Sequence, residues 1–164
     1  MPTTLSTNMT HIGLTDTQRE GVVSLLNAQL ADHFLLRLKA KQFHWNVTGP
    51  NFGEYHAFFE TLANDLSTII DDVAERIRAL GAFPQATMKD YLGVTRLEEE
   101  TQAQLPASAM LEALLHDYEM LIRQLREDLV AASESFGDEG TTDFLTGLMK
   151  QHEKTAWMLR AYTS

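Results

Sequence analysis

Five polar side chains in the first half of the chain have the types and the spacing of metal ligands. Two histidines lie twelve positions apart on either side of a Gly-Pro turn in FHWNVTGPNFGEYHAFFE, and an acid follows the second histidine by four residues. Eleven residues later, DDVAERI holds an Asp–Glu pair with the same four-residue spacing. Imidazole and carboxylate together favour a first-row divalent metal over calcium or magnesium, which prefer oxygen ligands. The candidate ligands are His44, His56, Glu60, Asp71 and Glu75.

The last four of these residues must lie on one face of a single helix. At 100° per residue they fall within an arc of about 100°. The apolar residues form a second stripe on the other side, which predicts the bundle core: Phe58, Leu62, Leu66, Ile69, Val73, Ile77 and Leu80. The rise from Glu60 to Asp71 is roughly 16 Å, whereas metal–ligand bonds are about 2 Å long. One chain therefore cannot bring both pairs to a single ion.

A two-fold axis would join the two pairs. If two copies of this face pack antiparallel, the His56 end of one chain meets the Asp71–Glu75 end of the other, and symmetry gives two identical sites. His44, at the end of the first helix, would add a third ligand on the His56 side. Carboxylates on an exposed helix also occur for solvation alone, and the residues themselves leave that alternative open. Small residues would let the two helices approach closely: Ala63, Asn64, Ser67 and Ala74.

Long stretches with apolar spacings of three and four predict an all-α chain. A capping box starting at Thr15 opens the first helix, VTGPN predicts a turn, and Gly81 ends the second helix. The link over residues 83–106 contains ATMKDYLG, a candidate short helix, and is long enough to cross a bundle, as in ferritin-like topologies. The predicted long helices span residues 15–46, 52–80, 107–135 and 139–162. The predicted organisation is a flexible tail and one ferritin-like four-helix bundle domain, residues 1–14 and 15–164.

The chain is strongly acidic. Its 23 acidic and 13 basic residues give a net charge of −10, and a field of that sign repels nucleic acids and anionic membranes. The first eighteen residues contain no lysine or arginine, so direct DNA binding is not expected. The chain has no cysteine, which excludes disulfides and thiolate ligands and fits a reducing cytosol. With neither a secretion signal nor an apolar run of ~20 residues, we expect a cytoplasmic protein without a membrane span.

The stretch KQFHWNVTGPNFGEYHAFFE…DDVAERIRALG resembles the Dps family, the mini-ferritins named as DNA-binding proteins from starved cells. The resemblance covers almost the whole chain. It implies a hollow homododecamer, bacterial or archaeal, with di-iron ferroxidase sites at its two-fold interfaces. Iron(II) would be oxidised there, preferentially by hydrogen peroxide, and stored as ferric mineral, which protects the cell against oxidative damage and in some members accompanies association with the nucleoid.

The resemblance also assigns roles to individual residues. It implies that His44, His56 and Glu60 come from one subunit while Asp71 and Glu75 come from its two-fold mate. Trp45 corresponds to the family's tryptophan beside the site, although a packing aromatic at a helix end would look the same. The family usually has Asp where this chain has Glu60, and the longer side chain is expected to change the kinetics while leaving a working site.

Acidic residues at the start of the family's last long helix line its three-fold pores. In this chain GDEGTTD supplies the candidate pore residues Asp138, Glu139 and Asp143. Ordinary enrichment of acids at a helix N-terminus would give the same pattern.

Competing interpretations make different demands on the sequence. A standard ferritin needs Glu-x-x-His twice, and the chain has no such motif; a zinc protease needs His-Glu-x-x-His, and HEKTA lacks its second histidine. Two rivals stay open: a zinc-filled oligomer with little turnover, and a structural or nucleoid-associated shell. Among the other histidines, His116 and His152 are expected to be isolated surface or packing residues. His33 shares a face with His44 but is too distant to share its metal.

Overall fold

The computed structural model describes residues 10–163. Within that range the chain is all-α, and the predicted ferritin-like four-helix bundle with a short extra helix in its long link is confirmed. A π-helical segment, Ala131–Ser135, continues the fourth helix by one turn. No helix in the described range is both long and apolar enough to cross a bilayer. The helices are α1 (Asp16–Asn46), α2 (Phe52–Ala79), α3 (Met88–Val94), α4 (Ala107–Val130) and α5 (Glu139–Tyr162).

The start of α1 and the end of α2 have the predicted caps. The Gln18 amide donates to Thr15 Oγ1 at 3.3 Å, and the Thr15 amide donates to Gln18 Oε1 at 2.9 Å, so the capping box is complete. At the end of α2, Gly81 has a φ of +81°, a conformation that favours glycine. A Cβ there would lie 2.3 Å from Thr10 Oγ1, so the close approach also requires glycine.

The bundle is built from two helical hairpins. The first hairpin is α1–α2, joined by the short turn after Asn46, and the second is α4–α5, joined by the π-helical segment and a tight turn. The long link crosses from one hairpin to the other and carries α3, which packs on α1. Every residue of the predicted apolar stripe on α2 is buried. Burying the two apolar faces against each other supplies the main driving force for the fold.

A polar network fixes the long link to the core. The Arg96 amide and Nε both donate to Asp32, each at 2.7 Å, and Arg96 Nη1 donates to Asp128 Oδ2 at 3.0 Å. Gln29 Nε2 donates to the same Asp128 oxygen at 2.6 Å. Asp32 on α1 and Asp128 on α4 are both buried, so Arg96 supplies the positive charge that these carboxylates need inside the protein.

The small residues predicted to line a helix–helix contact are divided between two environments. Ala63 is buried in its own chain, and Ser67 accepts a 2.6 Å hydrogen bond from Arg37 Nε of α1. Ala63 is therefore covered by its own chain, whereas Ser67 is only partly buried and stays a predicted contact residue. Asn64 is exposed and Ala74 is half-buried, so they remain available for such a contact.

The predicted N-terminal tail falls partly outside the described range. Residues 1–9 lie outside it. Leu14, in the predicted tail, packs against the apolar core, and Thr10 lies against the end of α2.

Candidate metal half-site

Two histidine rings join the end of α1 to the start of α2. His44 Nδ1 lies 2.9 Å from the His56 carbonyl oxygen, and His56 Nδ1 lies 2.8 Å from the His44 carbonyl oxygen. The rings stack with centroids 3.8 Å apart. A carbonyl oxygen can only accept, so each Nδ1 carries a proton and each Nε2 is left to bind something else. We call this reciprocal arrangement of His44 and His56 the histidine clasp.

Glu60 meets the clasp on its Nε2 side. Glu60 Oε2 lies 2.9 Å from His44 Nε2, which is a hydrogen-bonding distance. Lys41 Nζ also donates to Glu60 Oε2, at 2.5 Å. This hydrogen bond from Lys41 holds the pKa of Glu60 below its ordinary value, so the side chain is a carboxylate at neutral pH. Together His44, His56 and Glu60 form a half-site: two imidazole nitrogens and one carboxylate on a partly exposed surface.

The second acidic pair does not join this half-site within the chain. Asp71 and Glu75 are exposed further along α2, and Glu75 lines a shallow surface depression with Arg76 and Phe144. Among residues 10–163, no three His, Asp or Glu side chains converge on a point that could hold an ion. The structure thus places His44 in contact with both His56 and Glu60, without converging the three on one point, and it leaves Asp71 and Glu75 separate.

Two neighbours of the half-site escaped the sequence analysis. Lys41 lies three residues before His44 on α1, a spacing that places both side chains on one helix face and could have revealed it. Phe52, at the start of α2, packs its ring 5.0 Å from the His56 ring, and it is half exposed. Trp45, predicted to lie beside the site, is 64% exposed, which makes it a surface aromatic in the single chain.

Among the three candidate pore residues, Asp138 has a structural task. It caps α5 by accepting from the Thr141 amide at 3.1 Å, and Arg76 Nη2 donates to it at 2.9 Å. Burial alone would raise the pKa of Asp138, but the hydrogen bonds from Thr141 and Arg76 hold it below its ordinary value. The alternative of helix capping accounts for Asp138, whereas Glu139 and Asp143 are exposed and stay predicted pore residues.

The remaining histidines are not all isolated. His116 is exposed on α4, as expected. His152 is buried on α5, and its Nε2 lies 2.8 Å from Nε2 of the equally buried His33 on α1. The prediction that His152 is isolated is therefore wrong. The two residues are 119 positions apart, so only the packing of the two hairpins brings them together.

Comparison with known proteins agrees with the fold. The ferritin-like domain family matches residues 23–164. An uncharacterised low temperature-induced protein from Nostoc sp. is 45% identical over 152 residues, which cover 93% of this chain and 85% of the relative. A DNA protection during starvation protein from Brevibacillus brevis is 37% identical over 141 residues, 86% of this chain and 93% of the relative.

Solved structures give the same answer. The Dps protein from Vibrio cholerae O1, described as a member of a broad superfamily of ferritin-like diiron-carboxylate proteins, superposes with a TM-score of 0.88. It is 32% identical, and the match covers 100% of this chain and 98% of that one. Fold and sequence together define a ferritin-like protein. Within that class, the chain belongs to the Dps family.

Proposed function

We propose that the protein is a ferroxidase that oxidises iron(II) at sites shared between two subunits and stores the ferric product in a hollow dodecamer. The observation that carries the proposal is the histidine clasp with Glu60 beside it. It presents two imidazole nitrogens and a carboxylate, while the remaining acids of the pattern lie roughly 16 Å away along α2. That separation leaves the half-site incomplete unless a second copy of the chain supplies Asp71 and Glu75.

Each residue of the proposed site has a definite task. His44 and His56 bind iron through Nε2, because their Nδ1 protons are committed to backbone carbonyls. Glu60 adds negative charge on the same side, and Asp71 and Glu75 from the partner subunit add more, which favours Fe(III) over Fe(II). Trp45 is proposed to lie close to the completed site. Glu139 and Asp143 are the proposed lining of a cation entrance.

Hydrogen peroxide is the proposed oxidant. Two iron(II) ions give up one electron each, the O–O bond of one peroxide breaks, and two protons are taken up to form two waters. Taking both electrons at one site avoids the single-electron step that would release a hydroxyl radical. The protein positions the two ions and supplies charge, and the iron is the substrate.

The first test measures the ratio of iron oxidised to peroxide consumed. Protein stripped of metal by a chelator is loaded anaerobically with iron(II), peroxide is added, and Fe(III) absorbance is followed. We expect two irons per peroxide, with the mineral retained by a large oligomer. A rate no faster than buffer would contradict the proposal and favour a structural shell. Activity of the stripped protein that is lost when zinc is added before the iron would identify zinc as a competing occupant.

The acidic pair has a matched control. Asp71→Ala with Glu75→Ala should abolish the acceleration, whereas Glu112→Ala with Glu127→Ala removes two exposed acids of α4 and should leave it intact. Oxidation that survives the first double change would show that the site has been assigned to the wrong residues.

Mixed shells test the sharing of the site between chains. Subunits with His56→Gln are co-assembled in equal amounts with subunits carrying Asp71→Ala and Glu75→Ala, each inactive alone. Half of the two-fold contacts then pair unlike chains. In each of these contacts one site combines an intact His56 with an intact Asp71–Glu75 pair, while the other site carries both sets of substitutions. The mixture should recover about one quarter of wild-type activity. A site built within one chain would recover none.

A further inference from the structure

Two histidines unrelated to the proposed metal site face each other inside the bundle. His33 on α1 and His152 on α5 have 0% and 1% of their surface exposed, and their Nε2 atoms are 2.8 Å apart. His33 Nδ1 donates to the Gln29 carbonyl oxygen at 2.6 Å. When the His33 ring is neutral, its Nε2 therefore carries a lone pair and accepts a hydrogen bond. His152 must then donate from its own Nε2. Tyr118 of α4 closes the site with its ring edge-on to His152, centroids 5.2 Å apart.

The surroundings of the pair offer limited compensation for added charge. Asp32 on α1 attracts a positive His33 and Arg96 from the long link repels it. Asp128 of α4 is committed to Arg96 and Gln29. Burial raises the pKa of the Tyr118 hydroxyl, so Tyr118 stays neutral.

Added protons act on this contact in two steps. The first can be shared, because His152 can shift its own proton to Nδ1 and accept from His33 Nε2. The second places two N–H donors and two positive charges face to face at 2.8 Å, which breaks the contact. Burial lowers the pKa of His33 and, more strongly, that of His152, where the neighbouring ring adds to the effect.

We propose that the His33–His152 pair is an acid-sensitive latch, which adds to the packing of the two helical hairpins at neutral pH and loosens it when both rings are protonated. The pair joins α1 of one hairpin to α5 of the other across the core. In the unfolded chain both rings take up protons near the ordinary pKa of about 6.5. Because the folded state resists this uptake, the stabilisation is present above about pH 6.5 and is lost as the pH falls below it. The latch does not involve iron, so its test is independent of the test of the proposed ferroxidase activity.

Backbone hydrogen exchange of the native assembly tests the latch. Opening is measured for peptides covering residues 29–36 and 148–156 at pH 7.5 and 5.5, after correction for intrinsic exchange. Wild type should open at least about tenfold more at pH 5.5, since uptake of up to two protons changes the equilibrium by up to about a hundredfold per pH unit. The variant His33→Gln with His152→Gln should lose this pH dependence, and His116→Gln should behave as wild type. An unchanged pH dependence in the double variant would overturn the proposal.

A second measurement needs no substitution and covers the case in which the double variant does not fold. Exchange of the imidazole Cε1 hydrogen in the wild-type assembly, followed by mass spectrometry against pH, reports both the accessibility and the titration of each histidine. We expect His33 and His152 to exchange more slowly than His116 and to titrate below about pH 6.5. Titration of either buried ring at or above that value would exclude the latch.

Discussion

His33 and His44 lie on the same helix, eleven residues apart, and use their rings in the same way to different ends. Eleven residues are close to three full turns, so both side chains leave α1 on one face. Each ring bonds Nδ1 to a backbone carbonyl, that of Gln29 or that of His56, and presents Nε2. His33 Nε2 meets another imidazole in the core, whereas His44 Nε2 meets Glu60 at the partly exposed end of the hairpin.

The difference shows that the environment of Nε2 decides what a tethered histidine can do. At the half-site, Glu60 and solvent tolerate a cation, so a proton or a metal ion can occupy the gap. In the core, a charge at the same ring position is opposed by desolvation. One orientation of the ring would therefore serve the proposed metal binding in one place and the proposed acid-sensitive latch in the other.

The largest expected effect is on stability, and it comes from removing the cation of the buried polar network beside His33. Arg96→Ala would leave the buried Asp32 and Asp128 without their cation, and it should lower the free energy of unfolding by about 3–5 kcal/mol. Arg126→Ala is the control, because the Arg126–Glu153 pair is exposed and its loss should cost no more than about 1 kcal/mol. Denaturant unfolding of the assemblies gives both values. Equal losses in the two variants would contradict the importance of the buried network.

Breaking the half-site should instead remove activity and spare the core. His56→Gln removes one ligand and one arm of the histidine clasp, and iron(II) oxidation should fall by about a hundredfold or more, because loss even of groups behind the ligands costs 10–100-fold. His33→Gln with His152→Gln should keep wild-type oxidation at pH 7.5. Stopped-flow absorbance with peroxide measures both. A large loss in the core variant would mean that the two sites are coupled.

A smaller effect is expected from a neighbour of the half-site, whose removal should raise the affinity for a metal ion. Lys41→Met removes a cation that holds the same carboxylate oxygen a metal would use, so zinc affinity at pH 7 should rise by up to about tenfold. Since Lys41 lowers the pKa of Glu60, the carboxyl of the variant keeps its proton to a higher pH. The gain should therefore shrink as the pH falls toward the ordinary carboxyl range. Calorimetric titration at pH 7 and 5.5 tests this, with the exposed Lys150→Met as control.

The smallest effect is expected from side-chain length alone. Glu60→Asp keeps the carboxylate but withdraws it by one methylene from Lys41 and His44. We expect a change of a few-fold in the initial oxidation rate, with the iron-to-peroxide ratio unchanged. A loss as large as that of His56→Gln would show that the reach of Glu60 is itself required.

Local signals made most of the fold predictable from the sequence. The capping box at Thr15, the stop at Gly81 and the apolar stripe of α2 each depend on a few neighbouring residues, and all three are confirmed. The proximity of His44 and His56 also follows from local geometry, because a short turn must bring the two helix ends together.

Contacts between elements that are distant in the sequence were harder to predict. The pairing of His33 with His152 depends on how two hairpins pack, and no spacing in the sequence encodes it. The burial of Ala63 depends on which side of α2 is covered by α1, and size alone does not reveal this. Asp138 illustrates a further limit: a capping acid and a pore acid have the same sequence pattern, and only its contacts with Arg76 and Thr141 separate them.

The histidine clasp also constrains how the sequence can change over time. Each ring is held by the backbone carbonyl of the other residue, which any residue at that position supplies, so replacing one histidine removes its own ring and hydrogen bond but leaves the other ring tethered. Because both rings serve the same proposed metal site, the fitness effects of the two positions should be strongly non-additive, and after the first replacement the second should cost little more. Lineages of this protein would be expected to keep both histidines or to lose both, with few intermediates in which only one persists.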